Sequence, residues 1–249
     1  MRLGRPALAI YLVACDEAPI QAQAAVAGGA TMIELGIPYS DPLADGTTIQ
    51  RHAQRALDGG MTTARALEIL AEIDAAVEVP LVPMTYGAIV EAYGVEAFCR
   101  DARVAGADGL IVVDVPHEES VELRAACEEN GIDLAHLVAP TSSARRNAEI
   151  AAASRGFVYL VTSMGTTGAR EALDERVAGM IAQTRESAGG TPLLAGFGIS
   201  RPDQVAAVLD AGADGAAVGS AALDALDRGG PDALRELVSE LVSGFPDDR

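Results

Sequence analysis

The chain has no lysine and no tryptophan, few aromatics and only three cysteines in 249 residues. Each shortage excludes something. Every one of the 18 basic residues is arginine, so no mechanism that needs a lysine Schiff base can run here. That removes amine-type aldol cleavage and the usual pyridoxal phosphate anchor. Against those 18 stand 36 Asp and Glu, a net charge of −18. So acidic a chain lacks the basic surface that nucleic acid or an anionic membrane requires. Aromatics make up 4% of the residues, which leaves Ala, Val, Leu and Ile to build the core.

Cys15, Cys99 and Cys127 are widely spaced and odd in number, so a disulfide framework is not expected. His52, His117 and His136 are scattered, and no CxxC or CxxH pattern exists, which gives no metal site. No apolar run reaches the ~18 residues of a membrane span. One segment imitates a targeting signal: Arg2 and Arg5 precede the apolar stretch Ala7 to Ala14, and Leu12-Val13-Ala14-Cys15 looks like a lipoprotein cleavage box. The competing reading makes Leu8 to Val13 the first buried strand, which the rest of the chain needs.

What is present is a regular alternation. Apolar β-branched runs fall at 7–13, 31–35, 81–85, 109–113, 133–137, 157–161, 192–195 and 215–218. Between them lie helical spacings such as 92–105, 118–129, 144–153, 173–187 and 202–210. Strands alternating with helices predict parallel βαβ units, and near-continuous apolar strands predict a sheet covered on both faces. The phrase Ala-Gly-Ala-Asp-Gly occurs at 105–109 and again at 211–215. In each copy the first Gly suits a helix C-terminus and a strand follows. Gly131 and Gly156 sit in similar places. No linker divides the chain, so residues 1–249 read as one α/β domain. Eight units in about 250 residues predict a (β/α)8 TIM barrel, with a doubly wound sheet as the structural alternative.

A barrel carries its chemistry at the C-terminal ends of its strands. Glu34 lies there, inside Met32-Ile33-Glu34-Leu35-Gly36-Ile37. Burial should raise its pKa and fit it for proton transfer near neutral pH. The polar loop Pro38 to Gln50 follows and brings Asp41 and Asp45. Asp41 before Pro42 suits a turn. Asp45 suits capping of a helix beginning near Thr47 as well as it suits catalysis. Later come three glycine clusters at strand ends: Gly165-Thr166-Thr167-Gly168, Gly196-Phe197-Gly198 and Gly219-Ser220. Backbone amides in such loops, with a helix N-terminus behind them, form a phosphate site that needs no basic side chain.

The run from Glu34 to Gly46 resembles the motif of the tryptophan synthase α-subunit family. Support continues in Gly109-Leu110-Ile111-Val112-Val113-Asp114-Val115-Pro116, Leu137-Val138-Ala139-Pro140-Thr141, Phe157-Val158-Tyr159-Leu160, Thr167-Gly168-Ala169 and Gly196-Phe197-Gly198-Ile199-Ser200. The resemblance implies a TIM barrel that cleaves indole-3-glycerol phosphate to indole and glyceraldehyde 3-phosphate, in the cytoplasm and without a cofactor. It assigns Glu34, Asp45 and Tyr159 to catalysis. It places Tyr11, Met84, Tyr86, Leu137, Thr167 and Phe197 around the substrate, and Gly168, Gly198, Gly219 and Ser220 around the phosphate.

The chain also departs from that pattern. Thr47 stands where the family usually has Pro, and Ala88-Ile89 where it has Asn-Pro. Ser163 replaces a common Arg, Cys15-Asp16 replaces Gly-Asp, and the N-terminal helix beneath the barrel looks shortened or missing. Several of these positions lie in loops the family uses to dock its β-subunit. The resemblance therefore implies a β-subunit partner with weakened docking. A stand-alone indole-releasing lyase and a non-catalytic regulator remain as alternatives, the last disfavoured because both Glu34 and Asp45 are kept.

Overall fold

The computed structural model describes residues 6–161, 175–196 and 198–246. The elements run β1 (Ala7–Val13), α1 (Ala18–Ala27), β2 (Met32–Gly36), α2 (Thr47–Asp58), α3 (Thr63–Asp74), β3 (Leu81–Thr85), α4 (Gly87–Tyr93), α5 (Val95–Val104), β4 (Gly109–Val112), α6 (Val121–Glu129), β5 (Asp133–Ala135), β6 (Leu137–Val138), α7 (Ala144–Ala153), β7 (Val158–Val161), α8 (Glu175–Ser187), β8 (Leu193–Gly196), α9 (Pro202–Asp210), β9 (Gly215–Val218) and α10 (Ser220–Val242). Among the described residues no helix precedes β1, and none is long and apolar enough to cross a membrane. The residues that imitate a lipoprotein box belong to β1 and its end, where Leu12 and Ala14 are wholly buried.

All the paired strands are parallel, in the order β5-β4-β3-β2-β1-β9-β8-β7-β6. The two ends of that order are consecutive in the chain. The single strand expected over 133–137 is interrupted at His136, which splits it into β5 and β6. There the backbone N–H donates to the Ser154 hydroxyl, while the carbonyl accepts from Tyr159 N–H. The sheet thus closes on itself through one residue that leaves the β4 ladder for the β7 ladder. The outcome is the predicted TIM barrel.

Strand periodicity sorts the side chains into two layers. Along β1, Leu8, Ile10 and Leu12 face the helices and join a large outer core, while Ala7 and Ala9 face the barrel axis. The inner cluster adds Met32, Val82, Ile111, Ala135, Phe157, Leu194 and Ala217. On β2 the inward positions are Met32 and Glu34, so the period that buries Met32 carries a carboxyl group into the barrel.

Two expected helices differ. The segment 92–105 is broken at Gly94, whose φ of +95 separates α4 from α5. The helix expected from Glu118 starts at Val121 instead, behind Ser120.

The repeated phrase has one structural meaning in both copies. Gly106 and Gly212 take positive φ, +97 and +107, just after α5 and α9. Two residues later Asp108 and Asp214 each accept the N–H that opens a neighbouring strand, Leu81 at 3.2 Å and Leu193 at 2.8 Å. In return the Asp108 and Asp214 amides donate to the carbonyls of those same two residues. The left-handed conformation costs a residue with a Cβ about 1–2 kcal/mol. At Gly106 a Cβ would also press on the Asp74 side chain, whereas at Gly212 it would meet Arg185 only at 3.8 Å. Gly212→Ala should therefore lower unfolding stability by about 1–2 kcal/mol, and Gly106→Ala by more, as read from urea unfolding midpoints.

Candidate active site

One pocket at the C-terminal ends of the strands gathers Tyr11, Glu34, Ala44, Asp45, Gly46, Ile49, Met84, Val113, Tyr159, Gly198, Gly219 and Ser220. Most of the residues singled out from the sequence meet here. They arrive from far apart: β1, β2 and its loop, β3, the end of β4, β7, the loop after β8 and the start of α10.

Glu34 sits at its centre and is wholly buried. Desolvation pushes its carboxyl up to about 8, and the Tyr159 hydroxyl pulls only weakly the other way. That hydroxyl donates to Glu34 Oε2 across 3.4 Å, long for an O–H···O bond. The second oxygen, Oε1, is buried without a hydrogen-bond partner. A carboxyl with one loose tether and one unoccupied oxygen can give or take a proton at a group entering the pocket.

Two glycines make room for the tyrosines beside it. A Cβ on Gly36 would collide with the Tyr11 hydroxyl, and one on Gly196 with the Tyr159 hydroxyl. Both occupy inward positions two residues beyond an inward side chain, Glu34 on β2 and Leu194 on β8. The sequence marks them only as glycines at strand ends. Burial raises both phenols, with the Asp45 carboxylate adding to the effect at Tyr11 and Glu34 at Tyr159. They stay neutral donors.

Asp45 lines the same pocket, half-buried. It does not cap α2. The N-cap is Gly46, which has no side-chain cap bond, and the Asp45 backbone carbonyl accepts from Gln50 Nε2 at 2.8 Å. Its carboxylate is left to face the pocket. Burial raises its pKa, offset in part by a hydrogen bond from Tyr86. The Tyr86 hydroxyl also accepts from Ala44 N–H at 3.2 Å, and its ring lies 4.9 Å from that of Tyr39. Tyr86 thus holds the loop that carries Asp45, outside the pocket wall itself.

The floor on the other side is backbone. Gly219 is the N-cap of α10 and offers no side-chain cap bond, so the first turn of that helix presents its amides to the pocket. Gly198 has φ +85 with open space around its Cα, and Gly219 could hold a methyl group at ordinary contact distance. Leu137 is half-buried and packs on the inner barrel cluster below the pocket. Thr167, Gly168 and Phe197 lie outside the described residues. No group of three or more metal-ligating side chains occurs among the described residues.

Comparison with known proteins agrees with this arrangement. A family model described as tryptophan synthase alpha chain matches residues 1–243. The tryptophan synthase alpha chain of Methanosarcina barkeri is 44% identical over 245 residues, spanning 96% of this chain and 91% of that one. The alpha chain from Prochlorococcus marinus is 45% identical over 233 residues, 92% and 84% of the two chains. Among solved structures, tryptophan synthase from Mycobacterium tuberculosis matches with a TM-score of 0.89 at 38% identity, covering 96% of this chain and 92% of that one. A chain of the tryptophan synthase α2β2 complex from Pyrococcus furiosus also gives 0.89, at 35% identity, covering 96% and 99%. With a buried acid near the end of β2, a second acid in the same pocket and matches over nearly its whole length, this chain belongs to the tryptophan synthase alpha chain family.

Proposed function

We propose that this chain cleaves indole-3-glycerol phosphate to indole and glyceraldehyde 3-phosphate, with Glu34, Asp45 and Tyr159 as its catalytic residues. The observation that carries the reading is the state of Glu34: wholly buried, held near 8, and sharing a pocket with Asp45. Indole leaves poorly as a carbanion until C3 is protonated. Glu34, protonated at neutral pH, gives its proton to C3. Asp45 accepts the N1–H hydrogen bond and stabilises the positive charge on the ring. The Glu34 carboxylate, steadied by Tyr159, then takes the proton of the glycerol hydroxyl next to the ring. The C–C bond breaks, its electrons return to the indole, and the aldehyde is released. Glu34 is thereby protonated again. Each proton transfer contributes about 10²–10⁴-fold, and no cofactor enters.

Tyr11 and Met84 line the indole side of the site and Tyr86 holds the Asp45 loop against it, with Leu137, Thr167 and Phe197 assigned by resemblance. The phosphate lies on the amides of Gly198, Gly219 and Ser220, with Gly168 joining them by resemblance. A helix N-terminus supplies the positive potential that lysine would otherwise give. The proposal takes residues 1–249 as one cytoplasmic barrel domain.

The partner is a tryptophan synthase β-subunit. The Pyrococcus furiosus structure is described as showing mutual activation of an α2β2 complex. Here Leu43, 89% exposed, stands in the loop between β2 and α2, an apolar side chain ready to be covered. Ala88 and Ile89 form the first turn of α4, and Ile89 N–H bonds the Tyr86 carbonyl at 3.1 Å, a bond proline could not make. The family's hydrogen-bonding Asn side chain is absent there, and Thr47 at the start of α2 leaves the loop freer than Pro would.

Three outcomes follow. Glu34→Gln should abolish indole release, and Asp45→Asn should reduce it by several orders of magnitude. Glu34 ionises near 8 in the folded chain and near 4.5 when unfolded, so unfolding releases a proton between those values. Stability should fall as pH rises from about 4.5 to 8 and level off above. Glu34→Gln should remove that slope and be more stable than the parent at pH 9 by roughly 5 kcal/mol. The parent's kcat/KM for indole release should decline above about pH 8, with a lower limb set by Asp45 above the ordinary aspartate range. Retention of more than about a tenth of the turnover by either variant, under ~1.4 kcal/mol, would remove that residue from the mechanism.

Filling the phosphate floor should act differently. Gly219→Leu should raise KM more than it lowers kcat, because the phosphate is held alike in the ground and transition states. Steady-state kinetics of indole release read this directly.

Affinity for a β-subunit should be roughly ten- to a hundredfold below that of a relative with the Asn-Pro pair, since one interface hydrogen bond is worth ~1–3 kcal/mol. Titration calorimetry of the two chains checks it. An undiminished affinity would show that other contacts compensate, and no complex beside active indole release would favour a stand-alone lyase.

A further inference from the structure

Outside the pocket, one side-chain cluster ties together two elements that the reaction uses separately. Thr48, Arg51, His52 and Arg55 fall at helical spacings of three and four, forming one stripe on α2. They face Asp224 and Asp227 on the first segment of α10. Asp227 collects three of them. Its Oδ2 lies 2.6 Å from Arg51 Nη2 and 3.1 Å from His52 Nε2, and its Oδ1 lies 2.9 Å from Arg55 Nη2. Arg55 Nη2 also comes within 2.8 Å of His52 Nε2. One turn nearer the site, Thr48 Oγ1 donates to Asp224 Oδ1 at 3.2 Å. Arg51 Nη2 reaches the same oxygen at 3.6 Å.

The placement gives the cluster its meaning. α2 begins two residues after Asp45, and α10 begins with Ser220 behind the Gly219 cap. The segment of α10 that carries Asp224 and Asp227 ends at Gly229 and Gly230, whose backbone is not helical, just before Pro231. It is a short helix set off from the rest of α10. A lone exposed pair would contribute little, but two arginines on one carboxylate, with His52 beside them and held toward its neutral form by burial, form a network. In a chain so rich in acid, holding Arg51 and Arg55 on one aspartate concentrates cations where the two helices meet.

We propose that Asp227 is a positioning residue, which couples phosphate binding at the start of α10 to the placement of Asp45 at the start of α2. The coupling rests on the reaction proposed above. Phosphate fixes the first turn of α10; Asp227 and Asp224 carry that position to the α2 stripe; α2 in turn sets where Asp45 meets the indole N–H. Asp45 acts on charge that develops in the transition state, so a misplaced Asp45 lowers kcat, while the phosphate amides still hold substrate. A purely structural role would instead lower stability and leave the kinetic constants of the folded fraction unchanged.

The test uses the full chain. Asp227→Ala should lower kcat for indole release by about tenfold while KM changes by less than about threefold. Asp227→Glu should recover most of the loss. Hydrogen exchange with and without inorganic phosphate supplies an independent reading. In the parent chain phosphate should slow exchange over residues 44–58, and in Asp227→Ala that effect should vanish. Should Asp227→Ala fail to fold, the double variant Arg51→Ala with Arg55→Ala breaks the same contact from the other helix and should show the same pattern. Unchanged kcat, or phosphate protection of 44–58 that survives the substitution, would overturn the coupling. If the parent chain releases no indole, the proposed reaction fails, while the exchange experiment still decides whether the two helices are linked.

Discussion

The site depends on one constraint: a carboxyl group held inside a closed parallel barrel, away from water. Glu34 takes its position from the inward register of β2, shared with Met32, and closure of the sheet through His136 seals the space around it. Desolvation is what lifts its pKa, with the Tyr159 bond a lesser and opposing influence. The neighbouring features accommodate that carboxyl. Gly36 and Gly196 give up their side chains so that two tyrosine hydroxyls can stand beside it. The tyrosines are raised out of the titrating range, which leaves them neutral donors near a neutral acid. Asp45, in the same pocket and less buried, is the group better able to remain charged. Two carboxyl groups thereby acquire two roles from two environments.

The acidic composition bears on the other half of the site. A chain of net charge −18 must receive a phosphorylated substrate without a single lysine. Among the described residues the pocket wall contains no arginine. Several of the described arginines instead pair at the surface, as in the Arg65 contacts to Asp16, Glu68 and Glu72 and the Arg146 pair with Glu118. Backbone amides at the start of α10 are local donors, and their partial charge does not depend on the overall balance.

Much of the fold was legible because buried parallel strands advertise themselves as short apolar runs, and the repeated Ala-Gly-Ala-Asp-Gly phrase marked two equivalent junctions. The break at His136 was not legible, since a single histidine between Leu134-Ala135 and Leu137-Val138 fits an unbroken strand as well, and its backbone N–H is taken by a tertiary bond to Ser154. Gly94 hid within an apolar helical spacing because one glycine does not reveal its φ. For Asp45 the sequence left capping and catalysis equal, and only the uncapped Gly46 separates them. The motif run from Glu34 to Gly46 brought out Glu34 and Asp45, and the matching stretch 157–160 brought out Tyr159. Gly36 lies inside that run, but its role is the space it leaves empty for Tyr11, and Asp227 acts through partners more than 170 positions away.

The state of Glu34 is the claim on which the rest turns. Labelling the glutamates with carbon-13 at the side-chain carboxyl, and assigning Glu34 by its loss in Glu34→Gln, allows its titration to be followed by NMR. A midpoint near 8 is expected. A midpoint near the ordinary value of about 4.3 would contradict it, because the carboxyl would then be ionised at neutral pH with no proton to give to the indole ring.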